Sequence, residues 1–553
     1  MPNFLETIFS QLQRSADRVV LREVRGEQIV SVTGRELLER VQCARSFLRA
    51  RGIQPGDRCG LLGANSISWI VCDLALMAEK AIVVPLYSRQ AAADLVGMLK
   101  DCGPRLLLTA DESLGTAVLN AWSEPPSVAL FDDAIRGKSL DRPIDNAPLP
   151  RNDEDLVTII YTSGTSGEPK GVCLTTRNLS HMIGCTTERL EQLMAGRREP
   201  DRIFHYLPLN FAASWIVMLS ALTRESEFTL STDLNKLADE IRIAAPNYFL
   251  NVPTLLERVR RGVEENIAKR TPPIRSLYAR AKRAWQRHNA GRRSALDSFW
   301  LGLANLLIFS KIKARFGSHL MALVCGSAPL APETQQFFLM LGILVLQGYG
   351  LTETTGICTL DDPLVPVEPG HVGQAVSGIE MRIGENEEIL VRGPNLFAGY
   401  WNRPEGTAKV MRDGWFHTGD QGEVNVAGNW RIIGRIKNLI ILNSGHNIAP
   451  EPIEDRVAQL LLGAEQVVLV GNGKGYLCAL VTGAVTDADV QAALDKINPE
   501  LPHYRQIRNF VVLGETFVAE NGLLTANGKL RRDAINARFA AEIGAMYGRK
   551  ATA

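Results

Sequence analysis

Short apolar runs alternate with helical stripes near the start of the chain, and this alternation constrains the fold more than any other feature. Apolar side chains at Leu37, Val41 and Leu48 follow a helical period that ends near Gly52. Strand-like and helix-like segments then follow in turn: Cys59–Leu62, Ile67–Ala78, Ala81–Tyr87, Ala91–Leu99 and Arg105–Thr109. This order predicts an α/β fold in which parallel-rich sheets are packed with helices.

The chain has 553 residues, which is too long for one ordinary core. From about Arg431 the sequence pattern changes. The run RIIGRIKNLIILNSGHNIAPEPIE is followed by a short βαβ-like region that extends to the C-terminus. We expect the boundary at Gly434–Lys437. The predicted domains are a large N-terminal domain, 1–434, and a small α+β C-terminal domain, 438–553.

Composition excludes several classes of protein. Hydrophobic residues make up 46% and charged residues 22% of the chain, which is typical of globular proteins. The formal net charge of +1 gives no whole-protein attraction to nucleic acid. The nine cysteines contain no CxxC pair and the eight histidines no HExxH motif, so we expect a reducing cytoplasm and no catalytic zinc.

The N-terminus, MPNFLETIFSQLQRSADR, lacks a basic start followed by an apolar run, so we expect no secretory signal. The most apolar stretches, around Ile67–Ala78 and Phe299–Phe309, are shorter than the roughly 20 residues that a membrane span requires. We therefore expect no transmembrane segment.

Residues 258–315 differ from the rest of the chain. They contain fifteen Lys or Arg but three acidic residues, Glu264, Glu265 and Asp297, and they end near the apolar run FWLGLANLLIF. One interpretation is a solvated helical insertion with one buried stripe. The other is a peripheral contact with anionic lipid, at the inner face of a membrane, because basic clusters beside apolar residues bind such surfaces.

Three further apolar runs, Leu156–Tyr161, Leu320–Cys325 and Ile343–Gln347, are predicted strands that each precede a polar motif. Ligands of open α/β sheets bind at the carboxyl ends of the strands. We therefore expect the motifs that follow these strands to share one site.

The first motif, YTSGTSGEPKG, covers residues 161–171. Its glycines allow successive backbone N–H groups to face one anion, its hydroxyls add donors and its lysine adds positive charge. These features suit a polyphosphate. The loop differs from a Walker A motif, because no glycine directly precedes the lysine. The candidate phosphate-binding residues are Thr162, Ser163, Gly164, Thr165, Ser166, Gly167 and Lys170.

This motif resembles the phosphate-binding loop of the adenylate-forming enzymes, which include acyl-CoA synthetases, luciferases and peptide-synthetase adenylation domains. The resemblance covers essentially the whole chain, and four further motifs stand in the family's order. It implies ATP and Mg²⁺ as cofactors, coenzyme A as co-substrate and a mobile C-terminal domain.

The second motif, Gly348–Thr354, combines an aromatic residue, glycines, a hydroxyl and a carboxylate, as a nucleotide platform requires. Tyr349 beside Gly350 can stack on a base, Thr352 can bond the α-phosphate, and Glu353 offers oxygen ligation to Mg²⁺. The resemblance implies the same roles, with Thr352 and Glu353 catalytic. Upstream, the run Gly326, Ser327, Ala328 and Pro329 is similar to the segment that lines the adenine.

The remaining motifs lie toward the C-terminus. Asp420, in WFHTGD, is expected on a tight turn, where its carboxylate accepts both ribose hydroxyl protons. By resemblance, Arg435 contacts ribose and phosphate, and Lys437 is the hinge. The segment LTANGKLRR carries Lys529, which by resemblance enters the active site and bridges the substrate carboxylate and the α-phosphate. Asn438 stands where many relatives have Asp.

The segment Tyr206–Trp215 matches the wall of the family's acyl pocket, so Asn210, Phe211, Ala212 and Trp215 are the predicted substrate-pocket residues. Amino-acid-activating relatives place an aspartate at the position of Ala212. A buried ammonium without a counter-ion would be costly, which argues against an α-amino acid.

The basic insertion and the phrases NIAPEPIE and AENGLLT resemble the long-chain fatty-acyl subgroup. The expected activity is ATP-dependent conversion of a long-chain fatty acid to acyl-AMP and then to its coenzyme A thioester. Medium-chain or aryl acids and transfer to an acyl carrier protein stay open as alternatives. A non-catalytic relative would be expected to lose Lys529, Glu353 or Asp420, and all three are present. A lipid-binding scaffold would leave the five nucleotide motifs unexplained.

Overall fold

The computed structural model describes residues 3–136, 146–163, 169–197, 199–292, 294–317, 319–461, 463–518, 520–525 and 528–548. Contacts divide the chain into two units. The larger comprises Met1–Glu380, Val391–Phe416 and Asn425–Trp430, and the smaller comprises Met381–Leu390, His417–Val424 and Arg431–Ala553. The domain boundary at Gly434–Lys437 stays a prediction.

The alternation at the start of the chain builds a mostly parallel sheet in the larger unit, as predicted. Among the described residues its seven strands lie in the order Gly399–Tyr400, Pro169–Thr175, Leu156–Ser163, Ile82–Leu86, Arg58–Leu62, Leu106–Thr109 and Ser127–Leu130. The five strands from Leu156–Ser163 onward run parallel to one another. Pro169–Thr175 pairs antiparallel with Leu156–Ser163, and Gly399–Tyr400 pairs antiparallel with Pro169–Thr175. Every residue of Ile82–Leu86 is buried, which explains its continuous apolar sequence.

A second sheet of the larger unit carries the nucleotide-platform motif. Within the described ranges its nine strands lie in the order Gln374–Ala375, Thr359–Leu360, Leu344–Tyr349, Ala322–Cys325, Tyr248–Asn251, Asp201–His205, Ser226–Ser231, Val19–Arg25 and Gln28–Thr33. The six inner strands run parallel, and the outer ones pair antiparallel. Carboxyl ends of neighbouring parallel strands thus share one edge of this sheet.

Helices cover these sheets, and their ends follow local capping chemistry. Thr33 forms a capping box with Glu36 at the start of Gly34–Ala50, and the Ser66 side chain caps Ile67–Ala78. The other α-helices of the larger unit are Phe4–Arg14, Ala92–Cys102, Glu112–Ala121, Phe131–Arg136, Thr176–Leu193, Ala212–Leu222, Leu237–Ala244, Pro253–Ala268, Pro272–Asn289, Ala295–Ala304, Ser310–Lys313, Pro332–Met340 and Pro404–Val410. Short 3₁₀ segments are Leu234–Lys236, Ala314–Phe316 and Thr352–Thr354.

The basic insertion is helical with a buried stripe, as the first interpretation predicted. Leu277, Tyr278 and Ala281 of Pro272–Asn289 belong to a core that includes Ile308 and Phe309. The apolar run seen in the sequence is part of a longer continuous helix, Ala295–Phe316, whose middle segment Asn305–Phe309 is π-helical. By length and composition this 22-residue helix could cross a membrane, contrary to the expectation from its apolar run alone. Ala304, Ile308 and Phe309 of this helix are buried in the core of the insertion, and most of its other side chains are at least partly exposed.

The smaller unit has its own core. Its three-stranded sheet has the order Ala464–Val470, Leu477–Gly483 and Ile507–Leu513, and Ile440–Ile441 pairs with Asn447–Ile448. Its helices are Glu451–Leu460, Asp487–Ile497, Arg532–Arg538 and Ala540–Gly548, with 3₁₀ segments Glu385–Glu387, Ile436–Asn438, Asn498–Glu500 and His503–Arg505. The strands Glu380–Ile383, Glu388–Arg392, Met411–Arg412, Trp415–Val424 and Trp430–Arg435 lie where the chain passes between the two units.

Candidate active site

The first motif forms the end of an antiparallel hairpin. Thr162 in Leu156–Ser163 lies opposite Lys170 in Pro169–Thr175, so the two residues are neighbours on one face of the ladder. Next to them, a Cβ on Gly171 would lie 2.7 Å from Ile159 Cγ2, so only glycine fits there. The predicted Gly164, Thr165, Ser166 and Gly167, and the side chain of Ser163, lie outside the described residues.

One tyrosine links this hairpin to the Glu353 carboxylate. The Tyr400 hydroxyl donates a hydrogen bond to Glu353 Oε1 at 2.9 Å, and Lys170 Nζ lies 5.2 Å from the centroid of the Tyr400 ring. Gly399–Tyr400 is a strand that pairs with the lysine-bearing strand, and the Phe397 N–H donates to the Glu353 carbonyl at 2.9 Å. Lys170 and Glu353 are far apart in sequence, but both contact Tyr400: Lys170 lies near its ring and Glu353 accepts from its hydroxyl.

The adenine-lining and nucleotide-platform motifs also meet. Ala322–Cys325 and Leu344–Tyr349 are adjacent parallel strands, so both motifs leave the sheet at the same edge. A Cβ on Gly326 would lie 3.4 Å from the Gly348 carbonyl oxygen, and Ser327 next to it has a φ of +74°. A Cβ on Gly350 would lie 2.4 Å from the Gly356 carbonyl oxygen, which requires glycine there. Ala328 and Pro329 follow Ser327 directly, Tyr349 ends the strand Leu344–Tyr349, and Thr352 begins the 3₁₀ segment Thr352–Thr354.

The predicted acyl-pocket segment lies against the same platform. The helix Ala212–Leu222 begins within van der Waals distance of Gly356, whose missing Cβ would be 3.4 Å from Ala213 Cα. Asn65 fixes the segment's loop, because its amide donates to the Leu207 carbonyl at 2.8 Å and its oxygen accepts from the Leu209 N–H at 2.9 Å. The predicted acyl segment therefore starts beside the turn that follows Thr352 and Glu353.

Within this segment the predicted pocket residues differ in environment. Phe211 is partly exposed and faces Tyr87 at 6.0 Å between ring centroids, and Asn210 is also partly exposed. Trp215 is buried, and its indole N–H donates to Asp73 Oδ2 at 2.8 Å. Burial raises the pKa of Asp73 to about 7, although the indole hydrogen bond opposes this shift.

In the smaller unit, Asp420 and Arg435 form a close ion pair. Arg435 Nε lies 2.6 Å from Asp420 Oδ1, and the Asp420 carboxyl is almost fully buried. The expectation that Asp420 occupies a tight turn is wrong, because it lies inside the ten-residue strand Trp415–Val424. Two residues earlier, the Thr418 hydroxyl donates to the Ile389 carbonyl at 2.8 Å, which ties this strand to Glu388–Arg392.

Lys437 lies in the 3₁₀ segment that follows Arg435. Burial lowers the pKa of its ammonium, and the positive charges of Arg435, Lys529 and Arg532 lower it further. Asn438 donates from its amide to Glu451 Oε1 at 2.6 Å. An aspartate at that position would place a second carboxylate beside Glu451, so the amide of Asn438 suits this contact.

Lys529 is exposed, and its backbone is hydrogen-bonded to Thr525. The Thr525 N–H donates to the Lys529 carbonyl at 2.8 Å, and the Lys529 N–H donates to Thr525 Oγ1 at 3.1 Å. Just beyond it, Arg532 forms a two-point ion pair with the buried Glu454, at 2.8 and 2.6 Å. The NIAPEPIE helix thereby anchors the lysine-bearing segment.

The structure thus forms two groups of predicted residues. In the larger unit it gathers Thr162, Lys170, Gly326, Gly348, Glu353 and Ala212. In the smaller unit it gathers Asp420, Arg435, Lys437 and Lys529. That both groups serve one nucleotide stays a prediction. Sequence reasoning missed Tyr400, whose only signal was a tyrosine in the run LFAGYWNRPEGT, and it missed the roles of Arg532 and Glu454.

A polyphosphate-type hairpin beside a carboxylate, at the carboxyl ends of parallel strands, is typical of α/β enzymes that act on nucleotides. Comparison with protein families agrees. Residues 8–401 match the family described as AMP-binding enzyme, and residues 437–551 match the family described as AMP-binding enzyme C-terminal domain. The chain therefore belongs to the AMP-binding enzyme family.

Among curated relatives, the chain is 29% identical to a long-chain-fatty-acid–CoA ligase, FadD15, of Mycobacterium bovis, over 99% of this chain and 97% of the relative. It is 31% identical to long chain acyl-CoA synthetase 1 of Arabidopsis thaliana, over 90% of this chain and 80% of the relative. Among solved structures, O-succinylbenzoate coenzyme A synthetase of Bacillus subtilis with ATP and magnesium has a TM-score of 0.74 at 21% identity, covering 96% and 99% of the two chains. This last likeness shows the fold.

Proposed function

We propose that this enzyme is an AMP-forming acid–thiol ligase that activates a long-chain fatty acid with ATP and transfers the acyl group to coenzyme A. The observation that carries the proposal is the pairing of Lys170 and Glu353 through Tyr400, at the start of the predicted acyl segment. Full-length relatives named as long-chain fatty-acyl ligases support the choice of acid.

In the first step a carboxylate oxygen of the acid attacks the α-phosphorus of ATP, and pyrophosphate leaves. Two anions must approach each other, so the protein's contribution is to position them and to place cations where negative charge accumulates. Lys170 stabilises the negative charge of the leaving pyrophosphate, and Thr352 donates a hydrogen bond to the α-phosphate. Lys529 bridges the attacking carboxylate and the α-phosphate.

A magnesium ion held through the triphosphate fits the residues present. Glu353 offers a hard carboxylate oxygen, and the Tyr400 hydroxyl fixes its orientation. In the described part of the chain, no group of three or more His, Cys, Asp or Glu is arranged to hold an ion without a substrate. When bound, the ion offsets the negative charge of the phosphates.

In the second step the thiolate of coenzyme A attacks the acyl carbonyl, and AMP leaves with one oxygen of the original carboxylate. One site cannot hold Lys529 and admit a thiol together. We infer that the smaller unit rotates about Lys437. The rotation removes Lys529 from the acyl-adenylate and opens the route by which the thiol enters. Coenzyme A is the proposed acceptor, and an acyl carrier protein is the alternative.

The acid side of the site favours an apolar substrate. Ala212 is buried at the start of its helix, where an α-amino acid would need a carboxylate partner. Phe211 and Tyr87 present aromatic surface beside it.

We place the enzyme in the cytoplasm, with a peripheral contact at the inner face of the membrane where a long-chain acid partitions.

The test is ATP–pyrophosphate exchange with a panel of acids from hexanoate to stearate, together with benzoate and cinnamate. The proposal predicts exchange that rises toward the long chains, and thioester formation with coenzyme A as acceptor. Exchange with benzoate or cinnamate alone would contradict the fatty-acid assignment. A thioester that forms only with an acyl carrier protein would contradict the assignment of the acceptor.

A further inference from the structure

The helix Ala295–Phe316 has an exposed apolar face. Leu296, Phe299, Leu306 and Leu307 are 70%, 58%, 70% and 41% exposed. Their spacing places them along one side of a helix, together with the partly exposed Leu303. We call these four side chains the apolar ridge. Single exposed leucines are ordinary on protein surfaces, but an aligned set of this size marks a binding surface.

The opposite face fixes this helix in the fold. Ala304, Ile308 and Phe309 are buried in the core of the insertion. Asp297 is buried and forms an ion pair with Arg287 of the neighbouring helix. Leaving the domain to span a bilayer would break this core and would expose Asp297 to hydrocarbon. The helix is therefore held flat against the domain, with the apolar ridge outward.

Exposed cations lie at both ends of this helix and on the neighbouring helix. Arg292 precedes the helix, and Lys311 and Arg315 lie at its end, all three exposed. On the neighbouring helix, the exposed Arg280 lies with its guanidinium carbon 4.6 Å from the centroid of the Trp300 ring. Two of the three acidic residues of this segment, Glu264 and Asp297, are already paired with arginine or lysine. The surface is therefore strongly positive around an apolar centre.

We propose that the apolar ridge inserts into the surface of an anionic bilayer while the surrounding cations bind the lipid headgroups. Amphipathic helices of this kind lie in the plane of the interface, with their apolar side chains at the acyl boundary. A second copy of the same surface would oppose like charges, which disfavours self-association. The surface lies outside the residues assigned to ligation, so membrane binding and catalysis can fail separately.

Insertion can be measured directly with a fluorophore at the ridge. Eight of the nine native cysteines are buried and Cys43 is half-buried, so Cys43→Ser leaves a background of low thiol reactivity. Leu306→Cys in that background, labelled with an environment-sensitive dye, is expected to shift to the blue on vesicles of phosphatidylcholine with about one-third phosphatidylglycerol. The matched control is Leu364→Cys, at a leucine that is 66% exposed elsewhere in the larger unit, which is expected to show no shift.

Co-sedimentation with the same vesicles tests the two components separately. Phe299→Ser with Leu306→Ser is expected to weaken binding at least about tenfold, because two inserted side chains are lost. Lys311→Gln with Arg315→Gln is expected to weaken it by about tenfold on anionic vesicles and to reduce its salt dependence. Both variants should keep wild-type ATP–pyrophosphate exchange with a short soluble acid, which confirms folding.

Three results would overturn the proposal. The first is wild-type protein that does not bind the anionic vesicles, and the second is binding that the ridge variant leaves unchanged. The third is a wild-type dimer that the ridge variant abolishes, without vesicle binding, which would assign the ridge to a second copy of the chain. Loss of exchange in wild type and variants alike would instead count against the ligase assignment.

Discussion

Replacing Tyr400 by phenylalanine removes one oxygen from the candidate active site and leaves the rest of the side chain in place. The hydroxyl makes a hydrogen bond of 2.9 Å to the Glu353 carboxylate. The ring contacts, at 5.2 Å to Lys170 Nζ and 4.9 Å to the Phe397 centroid, are available to phenylalanine as well. The variant therefore isolates the orientation of Glu353 from the packing around it.

A hydrogen bond to a charged group contributes about 1.5–3 kcal/mol. If Tyr400 holds Glu353 for the metal, losing the bond lowers the rate of adenylation by about ten- to a hundredfold at limiting Mg²⁺. Raising the Mg²⁺ concentration should recover much of that loss, because the carboxylate remains. The measurement is ATP–pyrophosphate exchange over a Mg²⁺ titration, with binding of MgATP followed by calorimetry as a readout independent of turnover.

Tyr278→Phe is the matched control, because Tyr278 also donates to a carboxylate, Glu264, at 3.1 Å, but within the helical insertion. It should leave the Mg²⁺ dependence unchanged. A Tyr400→Phe enzyme with the wild-type Mg²⁺ profile would refute the positioning role. A uniform loss of activity that Mg²⁺ does not rescue would also refute it, since a general structural defect would explain that pattern.

Replacing Lys529 by alanine should slow acyl-adenylate formation by roughly two to three orders of magnitude, as loss of one preorganised donor does. Thioester formation from supplied acyl-adenylate should fall much less, and Lys496→Ala, at an exposed lysine of the same unit, is the control in the exchange assay. Lys437→Pro should impair thioester formation selectively, because proline fixes φ where a hinge must change it, and assaying the two half-reactions separately tests this. Asp73 has its pKa raised to about 7, so the folded state keeps a proton that the unfolded chain releases near pH 4. Wild-type stability should therefore fall between about pH 4 and pH 7 relative to Asp73→Asn, by on the order of 2–4 kcal/mol, in urea unfolding.

Each of these expectations has a contrary result. Near-normal pyrophosphate release by Lys529→Ala would remove that lysine from the chemistry. Equal survival of both half-reactions in Lys437→Pro would mean that the hinge lies elsewhere. Parallel stability profiles of wild type and Asp73→Asn would mean that the carboxyl beside Trp215 does not hold its proton in the folded state.

Local signals in the sequence predicted the elements around the site well. The helix Ile67–Ala78 has the bounds that its apolar pattern indicates, because Ser66 caps one end and the burial is continuous. The strands that precede Gly326 and Gly348 were predicted for the same reason, since buried parallel strands are short apolar runs. These features depend on residues close together in the chain.

Features that depend on distant pairing could not be predicted. Tyr400 bonds a carboxylate 47 residues away, and Trp215 bonds Asp73 across 142 residues. Asp420 stands in a motif with a glycine, which suggested a turn, but pairing with neighbouring strands keeps it in a strand. The helix Ala295–Phe316 continues beyond its apolar run into turns that carry Lys311, Lys313 and Arg315. A prediction from the apolar run alone ends before these cations and therefore gives too short a helix.

The central claim is that a substrate carboxylate attacks the α-phosphorus of ATP. A fatty acid labelled with ¹⁸O in both carboxylate oxygens tests it in one reaction with ATP, Mg²⁺ and coenzyme A, followed by mass spectrometry of the nucleotide product. The account predicts AMP that carries one ¹⁸O in its phosphate, formed together with pyrophosphate and the acyl thioester. Unlabelled AMP, or ADP with inorganic phosphate, would contradict it.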